Sequence, residues 1–233
     1  MRIRSITSFY DPRSPRAEHD LLQLAETSEK IKSDIAREIM PVQSTRLATT
    51  PFPLFLGGLS LEDTLERVTR LEKDSNKLGW QYLALGPALP VEPWAFTIIP
   101  PLISATQNVF YSAVIADGTS LYPAAARASA QIIHQAAAIL PDGFANLRFA
   151  ALANVGPFTP FLPAAYHQPG SGPAISIALE CADTVLEAFT PQLSLEESRR
   201  NLLSLLEDTA EKLEGFIQLQ LAGSRITFKG FDF

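Results

Sequence analysis

The fold class follows from residues 2–50, which read RIRSITSFYDPRSPRAEHDLLQLAETSEKIKSDIAREIMPVQSTRLATT. Residues 2–10 alternate apolar and polar side chains and include β-branched ones, a pattern typical of a strand that ends at Asp11. After Ala17, leucine and isoleucine recur near the 3.6-residue period, which predicts a helix that Pro41 stops. Residues 42–50 predict a second strand. The segment is therefore a strand–helix–strand unit.

The rest of the chain repeats this alternation of strands and helices. The further predicted strands are 80–85, 108–116, 145–154 and 224–233, and the further predicted helices are 61–79, 122–140, 173–189 and 194–221. Residues 92–106 predict two short helical turns around Pro100 and Pro101. Such alternation favours an α/β fold with a mostly parallel sheet and right-handed crossovers. No repeat or linker-like composition break divides the chain, so a single domain over residues 1–233 is predicted.

Composition excludes several classes of protein. The chain has 233 residues, a net charge of −6 and no segment dense in lysine or arginine, which argues against a nucleic-acid partner. Cys181 is the only cysteine, so disulfides within the chain and CxxC sites are excluded. No apolar run has the length of about 20 residues that a membrane-spanning helix needs, and the N-terminal segment is too polar for a secretory signal. We therefore expect a cytoplasmic protein without membrane contact.

The best candidate for a site is the loop over residues 154–173, which reads NVGPFTPFLPAAYHQPGSGP. Prolines stiffen it and aromatic residues anchor it, and ordered long loops are usually functional. It begins at Asn154, at the edge where the carboxyl ends of parallel strands collect ligands. His167, next to Tyr166, is a candidate general acid or base. The alternative is a histidine that holds the loop through backbone hydrogen bonds.

Three further features of the sequence are candidates for the same site. A helix predicted to begin at Pro173 offers an anion site at Ser171 and Gly172, or else an ordinary N-cap. Arg46 lies within a predicted strand, where a buried guanidinium needs an anionic ligand or an internal salt bridge. Asp11 follows the first strand and is either catalytic or a turn residue before Pro12. No metal site is predicted, and the sequence leaves the cofactor unknown.

Four stretches together resemble one protein family: MRIRSITSFYDP at the start, VQSTRLATTPFP, RFAALANVGPFTPFLPAAYH and ITFKGFDF at the end. The chain resembles, over nearly its whole length, the domain-of-unknown-function family seven hundred and eleven. The resemblance implies a pyruvate formate-lyase-like fold, so that the strands would form part or most of a closed α/β barrel. It also implies that relatives continue beyond FKGFDF, so that the domain is incomplete at its C-terminal end. No activity comes with the resemblance.

Two functions stay open on this evidence. The first is a cytosolic enzyme acting on a small anionic metabolite at the strand-end face under the 154–173 loop, with Arg46 and the Gly170–Pro173 segment binding the anion. The second is a non-catalytic ligand-binding or scaffolding subunit whose loop packs against a partner chain. An apolar last strand needs cover, so we expect a homo-oligomer or a complementary C-terminal chain.

Overall fold

The computed structural model describes residues 1–233, and its single sheet confirms the α/β class. The strands, numbered in chain order, are β1 Arg2–Tyr10, β2 Thr45–Pro51, β3 Tyr82–Gly86, β4 Val109–Ala116, β5 Phe149–Ala153, β6 Ala174–Glu180 and β7 Thr227–Asp232. Five of the six strand pairings are parallel, and only β1 and β6 run antiparallel. The mostly parallel sheet predicted from the alternating pattern is therefore confirmed.

The helices begin largely where the sequence places their caps. They are α1 Ala17–Glu38, α2 Pro53–Leu56, α3 Leu61–Lys77, α4 Pro93–Ala105, α5 Pro123–Ala137, α6 Ala182–Ala188 and α7 Leu195–Leu221, with a 3-10 helix at Phe144–Arg148. Ser60 Oγ accepts the N–H of Asp63 at 3.1 Å, and Ser194 forms a capping box with Glu197. None of these helices combines the length and the apolar character that crossing a bilayer requires.

The sheet does not close, so the prediction that the strands form part or most of a closed barrel is met only in part. The strand order is β5-β4-β3-β2-β1-β6-β7, and the outer strands β5 and β7 each pair on one side only. A barrel needs a hydrogen-bonded pairing between its first and last strands, and here that pairing is missing. The observed form is an open half-barrel.

The helix predicted after Pro173 is also wrong, because residues 174–180 form strand β6. This strand pairs with β1, placing Ala174 opposite Phe9 and Ala178 opposite Ser5. Its first six residues are all buried. The run alternates small and large side chains, and its large ones, Ile175, Ile177 and Leu179, all join the main core. This period-2 pattern is typical of a strand, and the prediction of a helix overlooked it. Only the α6 segment of the predicted helix is helical.

Residues 93–105 form one continuous helix, α4, rather than the two short turns predicted around Pro100 and Pro101. Each proline removes a backbone donor, which is unfavourable within a helix. In α4 this cost is offset by burial of Phe96, Ile99 and Leu102 in the main core. Tertiary packing therefore outweighs the local preference of the two prolines.

The two faces of the sheet bury different layers, because successive side chains of a strand point to opposite faces. The outer face carries Leu47 and Leu83, which join the helices in the main core. The inner face carries Phe9, Ala48 and Ala84, which form a smaller cluster with Phe158 and Leu162 of the 154–173 loop. The loop therefore lies inside the half-barrel and covers part of its inner face.

Candidate functional site

The carboxyl ends of β1 to β5 lie at one edge of the sheet, as the parallel topology predicts. The edge is tightly packed where β2 and β3 end. A Cβ atom added at Gly86 would lie 2.5 Å from the carbonyl oxygen of Thr50, so only glycine fits there. The Gly86 N–H donates to Thr49 Oγ1 at 3.2 Å. This part of the edge is closed by protein contacts.

Asp11 lies at this edge, with its carboxylate bonded to its own turn. Oδ1 accepts the backbone N–H of Arg13 at 2.9 Å, and Oδ2 accepts Arg13 Nη2 at 2.8 Å. Thr50 Oγ1 donates to Oδ1 at 3.3 Å. Burial acts to raise the pKa of Asp11, but the hydrogen bonds and charge of Arg13 outweigh it and the pKa is lowered. These contacts are those of a turn aspartate, the alternative role left open by the sequence.

His167 is completely buried, with 0% exposure, and both of its hydrogen bonds go to backbone. Its backbone N–H donates to the Thr49 carbonyl at 2.9 Å. Its Nε2 lies 2.9 Å from the Gly172 carbonyl, which only accepts, so Nε2 carries the proton. Nδ1 is buried without a partner, and burial lowers the pKa of the imidazole. His167 is thus a neutral residue that ties the loop to β2, the alternative to a catalytic role.

Tyr166 and Asn154 also contribute to the loop's own structure. The Tyr166 hydroxyl donates to the Val155 carbonyl at 2.9 Å, and burial raises the pKa of this phenol. Asn154 is exposed and has a φ of 57°, in the left-handed region that asparagine tolerates. Its N–H donates to the Ala116 carbonyl at 3.2 Å. The structure does not bring Asn154 and His167 together in a cavity.

No helix begins at the Gly170–Pro173 segment, so the feature that made it an anion site is missing. Pro173 leads into β6, and its carbonyl accepts the Thr227 N–H at 3.0 Å. The Ser171 N–H donates to the Gln168 carbonyl at 3.2 Å. Ligand binding by Ser171 and Gly172 stays a prediction that lacks its original physical reason.

Arg46 occupies a different place, at the start of β2 on the inner face of the sheet. Its side chain is half-buried, and its Nε donates to Ser44 Oγ at 3.1 Å. No carboxylate lies within 4.0 Å of its guanidinium, so it forms no internal salt bridge. Burial, reinforced by the charge of Arg4, lowers the pKa of Arg46 to about 10. The guanidinium is therefore held in an environment that disfavours its charge.

Arg46 lines a cavity of about 770 Å³, which we call the arginine cavity. Its wall carries three arginines and no aspartate or glutamate, and it includes Arg4, Arg46, Tyr82, Asn108, Arg148 and Leu162. Arg4 donates to Gln43 Oε1 at 2.8 Å, and Arg148 donates to the Thr106 carbonyl at 2.7 Å. Leu162 belongs to the 154–173 loop, so the loop covers one side of this cavity. Of the three arginines only Arg4 has a carboxylate within 4.0 Å, that of Glu180 outside the cavity wall. The unpaired charge of Arg46 makes this cavity the strongest candidate site.

Sequence reasoning identified Arg46 and missed the other arginines. Sequence reasoning also missed Tyr82, which the parallel pairing of β2 and β3 places opposite Arg46; that pairing was the signal that could have found it. No sequence signal pointed to Arg148, which lies in a 3-10 helix within a segment predicted as strand. Its guanidinium donates to the carbonyl of Ile103 in the last turn of α4 and to that of Thr106 just after it, contacts that only the tertiary structure reveals.

A second cavity, of about 590 Å³, lies between α1 and α3 near the end of β1. Acidic and basic side chains mix on its wall, which includes Glu18, Glu66 and Arg67. Because these charges are of both signs, no one class of ligand is favoured there. The arginine cavity is distinguished by having charge of one sign only.

The chain was compared with models of protein families. The model described as Uncharacterised ACR (DUF711) matches residues 1–233. The match confirms the resemblance that the four sequence stretches predict, and it covers the whole chain.

Proposed function

The chain belongs to the family Uncharacterised ACR (DUF711), whose description names no activity, and we propose that it binds a small anionic metabolite in the arginine cavity. One observation carries the proposal. Arg46 is half-buried without a carboxylate partner, in a cavity whose wall has three arginines and no acidic residue. The anion is a carboxylate or a phosphate, because both accept paired hydrogen bonds from a guanidinium.

The physical reason is the cost of an unpaired, partly desolvated charge. Removing a guanidinium from water is unfavourable unless an opposite charge and hydrogen bonds replace the lost hydration. Ser44 satisfies only the Nε of Arg46, which leaves its two terminal nitrogens for a ligand. A bound anion would restore the pKa of Arg46 toward its ordinary value. Part of the binding free energy of the anion therefore comes from pairing a charge that is unpaired and partly desolvated in the free protein.

The non-catalytic form of this proposal has the better support. An enzyme would need a proton-transferring group beside the bound anion, and the roles predicted for His167, Tyr166 and Asp11 remain hypotheses. His167 is buried against backbone, Tyr166 is bonded to Val155, and Asp11 is bonded to Arg13. None of the three lines the arginine cavity. We place the protein in the cytoplasm as part of the proposal, since its one cysteine is a free thiol.

Replacing Arg46 by methionine tests the proposal. We expect affinity for inorganic phosphate and for acetate to fall by roughly 10- to 100-fold, because a hydrogen bond to a charged group contributes about 1.5–3 kcal/mol. The melting temperature should not fall, because the variant no longer buries an unpaired charge. Titrations followed by protein NMR measure both affinities.

Arg127 supplies the matched control for this experiment. It is an exposed arginine on α5 outside the arginine cavity, so Arg127→Met should leave both affinities unchanged. Equal phosphate and acetate binding by the Arg46→Met variant and the unmodified protein would contradict the proposal.

A second candidate function, that of a scaffolding subunit, is favoured by the open sheet. Strands β5 and β7 each have an unpaired edge, and β7 carries the partly exposed rings of Phe228 and Phe231. In this proposal, a second copy of the chain or a complementary chain completes a pyruvate formate-lyase-like barrel. Self-association predicts a solution mass that is a multiple of 25.4 kDa, measured by light scattering. A monomer mass at all concentrations tested would contradict self-association.

A further inference from the structure

The arginine cavity has an apolar side as well as a charged one. Its wall includes Leu140, in the turn after α5, and Phe144 and Leu147, in the 3-10 helix that follows. Phe144 and Leu147 are 63% and 59% exposed. Large apolar side chains that gather at a cavity and stay exposed to water mark a binding surface more often than scattered ones do. A simple inorganic anion would leave this surface uncovered.

An aromatic floor connects the charged side to the apolar side. Arg46 on β2 lies opposite Tyr82 on β3, and Phe110 lies on β4. The rings of Tyr82 and Phe110 pack edge to face, with centroids 5.6 Å apart. Because neighbouring strands are about 4.8 Å apart, the floor spans two strand spacings, roughly 10 Å from β2 to β4. The cavity is thus amphipathic along its length.

We infer that the natural ligand is an apolar monocarboxylate, with an extended acyl or aryl body. Its carboxylate pairs with Arg46, and its body lies over Tyr82 and Phe110 toward Phe144 and Leu147. The volume of about 770 Å³ accommodates such a body, whereas acetate or phosphate would occupy only the charged side. This inference rests on the proposed function, since it specifies the anion bound at Arg46.

A series of straight-chain carboxylates tests the inference. Acetate, butanoate, hexanoate and octanoate are titrated against the full chain, and protein NMR follows binding. We expect the affinity to rise by up to about fourfold for each added methylene, the factor that corresponds to burial of one CH₂ at ~0.8 kcal/mol. Octanol, which has the apolar body without the charge, should bind more weakly than octanoate.

Two exposed positions separate the apolar contribution from the charge. Leu147→Ser and Phe144→Ser should reduce octanoate affinity several-fold and leave acetate affinity unchanged, and their exposure makes unfolding an unexpected result. Leu195→Ser on α7, at a residue 77% exposed and outside the cavity, is the matched control and should change neither affinity.

The outcomes distinguish the inference from the proposed function. If acetate and octanoate bind equally well and both need Arg46, the apolar-ligand inference is overturned and anion binding stands. If no carboxylate shows Arg46-dependent binding, both are overturned. If the affinity rises with chain length, and Leu147→Ser weakens octanoate binding several-fold without changing acetate binding, the inference is supported.

Discussion

Replacing His167 by alanine is expected to lower the free energy of unfolding by about 3 kcal/mol. The imidazole is fully buried, packs edge to face against Phe158 with ring centroids 5.4 Å apart, and bonds the Gly172 carbonyl at 2.9 Å. Alanine would leave a cavity among these groups and remove the only side-chain partner of that carbonyl. Chemical denaturation of the two proteins measures the difference.

The exposed histidine of α5 is the control for this substitution. His134→Ala should change the free energy of unfolding by less than about 0.5 kcal/mol, because the side chain lies in solvent. If the His167→Ala protein keeps its stability but no longer binds a carboxylate, the catalytic interpretation of His167 is supported. If the protein is destabilised, the role of His167 is to hold the structure of the loop.

The same residue makes stability depend on pH. Burial lowers the pKa of His167 in the folded protein, whereas an unfolded chain protonates its histidines near pH 6.5. Below that pH the unfolded state binds more protons than the folded state at this residue, so stability falls as the pH drops through about 6.5. Denaturation curves measured from about one pH unit above to about one unit below the unfolded-state pKa of ~6.5 should show this loss of stability. The loss should be smaller in a His167→Gln variant.

Replacing Trp80 by alanine is expected to destabilise the protein still more, by about 4 kcal/mol. Trp80 is the largest fully buried side chain, only 1% exposed, and it belongs to the main core. Its Nε1–H donates to Ser8 Oγ on β1 at 3.3 Å. Alanine would remove this bond between β1 and the residue that leads into β3, and would leave a cavity the size of an indole ring.

Trp80→Phe is the matched variant, since it keeps an aromatic ring and loses only the hydrogen bond and part of the volume. We expect it to cost about 1–2 kcal/mol. The second tryptophan, Trp94, is partly exposed on α4 and remains as the fluorescent probe of unfolding in both variants. Equal stability of the alanine variant and the unmodified protein would contradict the assigned core.

The local elements that sequence reasoning predicted well are those with a complete local signal. Strand β1 has its alternation, α1 its 3.6-residue stripe, and α3 and α7 their caps at Ser60 and Ser194. In these segments pattern and capping indicate the same structure, so tertiary contacts did not need to override them. The parallel direction of most strands, though not their order in the sheet, followed from the alternation of strands and helices.

Strand β6 and helix α4 show where the sequence-based prediction was wrong. The AISIALE run of β6 alternates small and large side chains, a period-2 pattern that the helix prediction overlooked, and pairing with β1 holds it as a strand. The prolines of α4 argued for a break, and burial of the surrounding apolar residues decided for a helix. In both segments the deciding contacts come from residues distant in the chain.

The candidate site divides in the same way. From the residues alone it could be predicted that an arginine lies within a strand and that a rigid loop after β5 carries His167. The folded structure was needed to see that Arg46 has no carboxylate partner, that Arg4 and Arg148 share its cavity, and that His167 faces backbone. The physical reason is that helices, strands and caps depend on neighbouring residues, whereas burial and charge pairing depend on which distant segments meet.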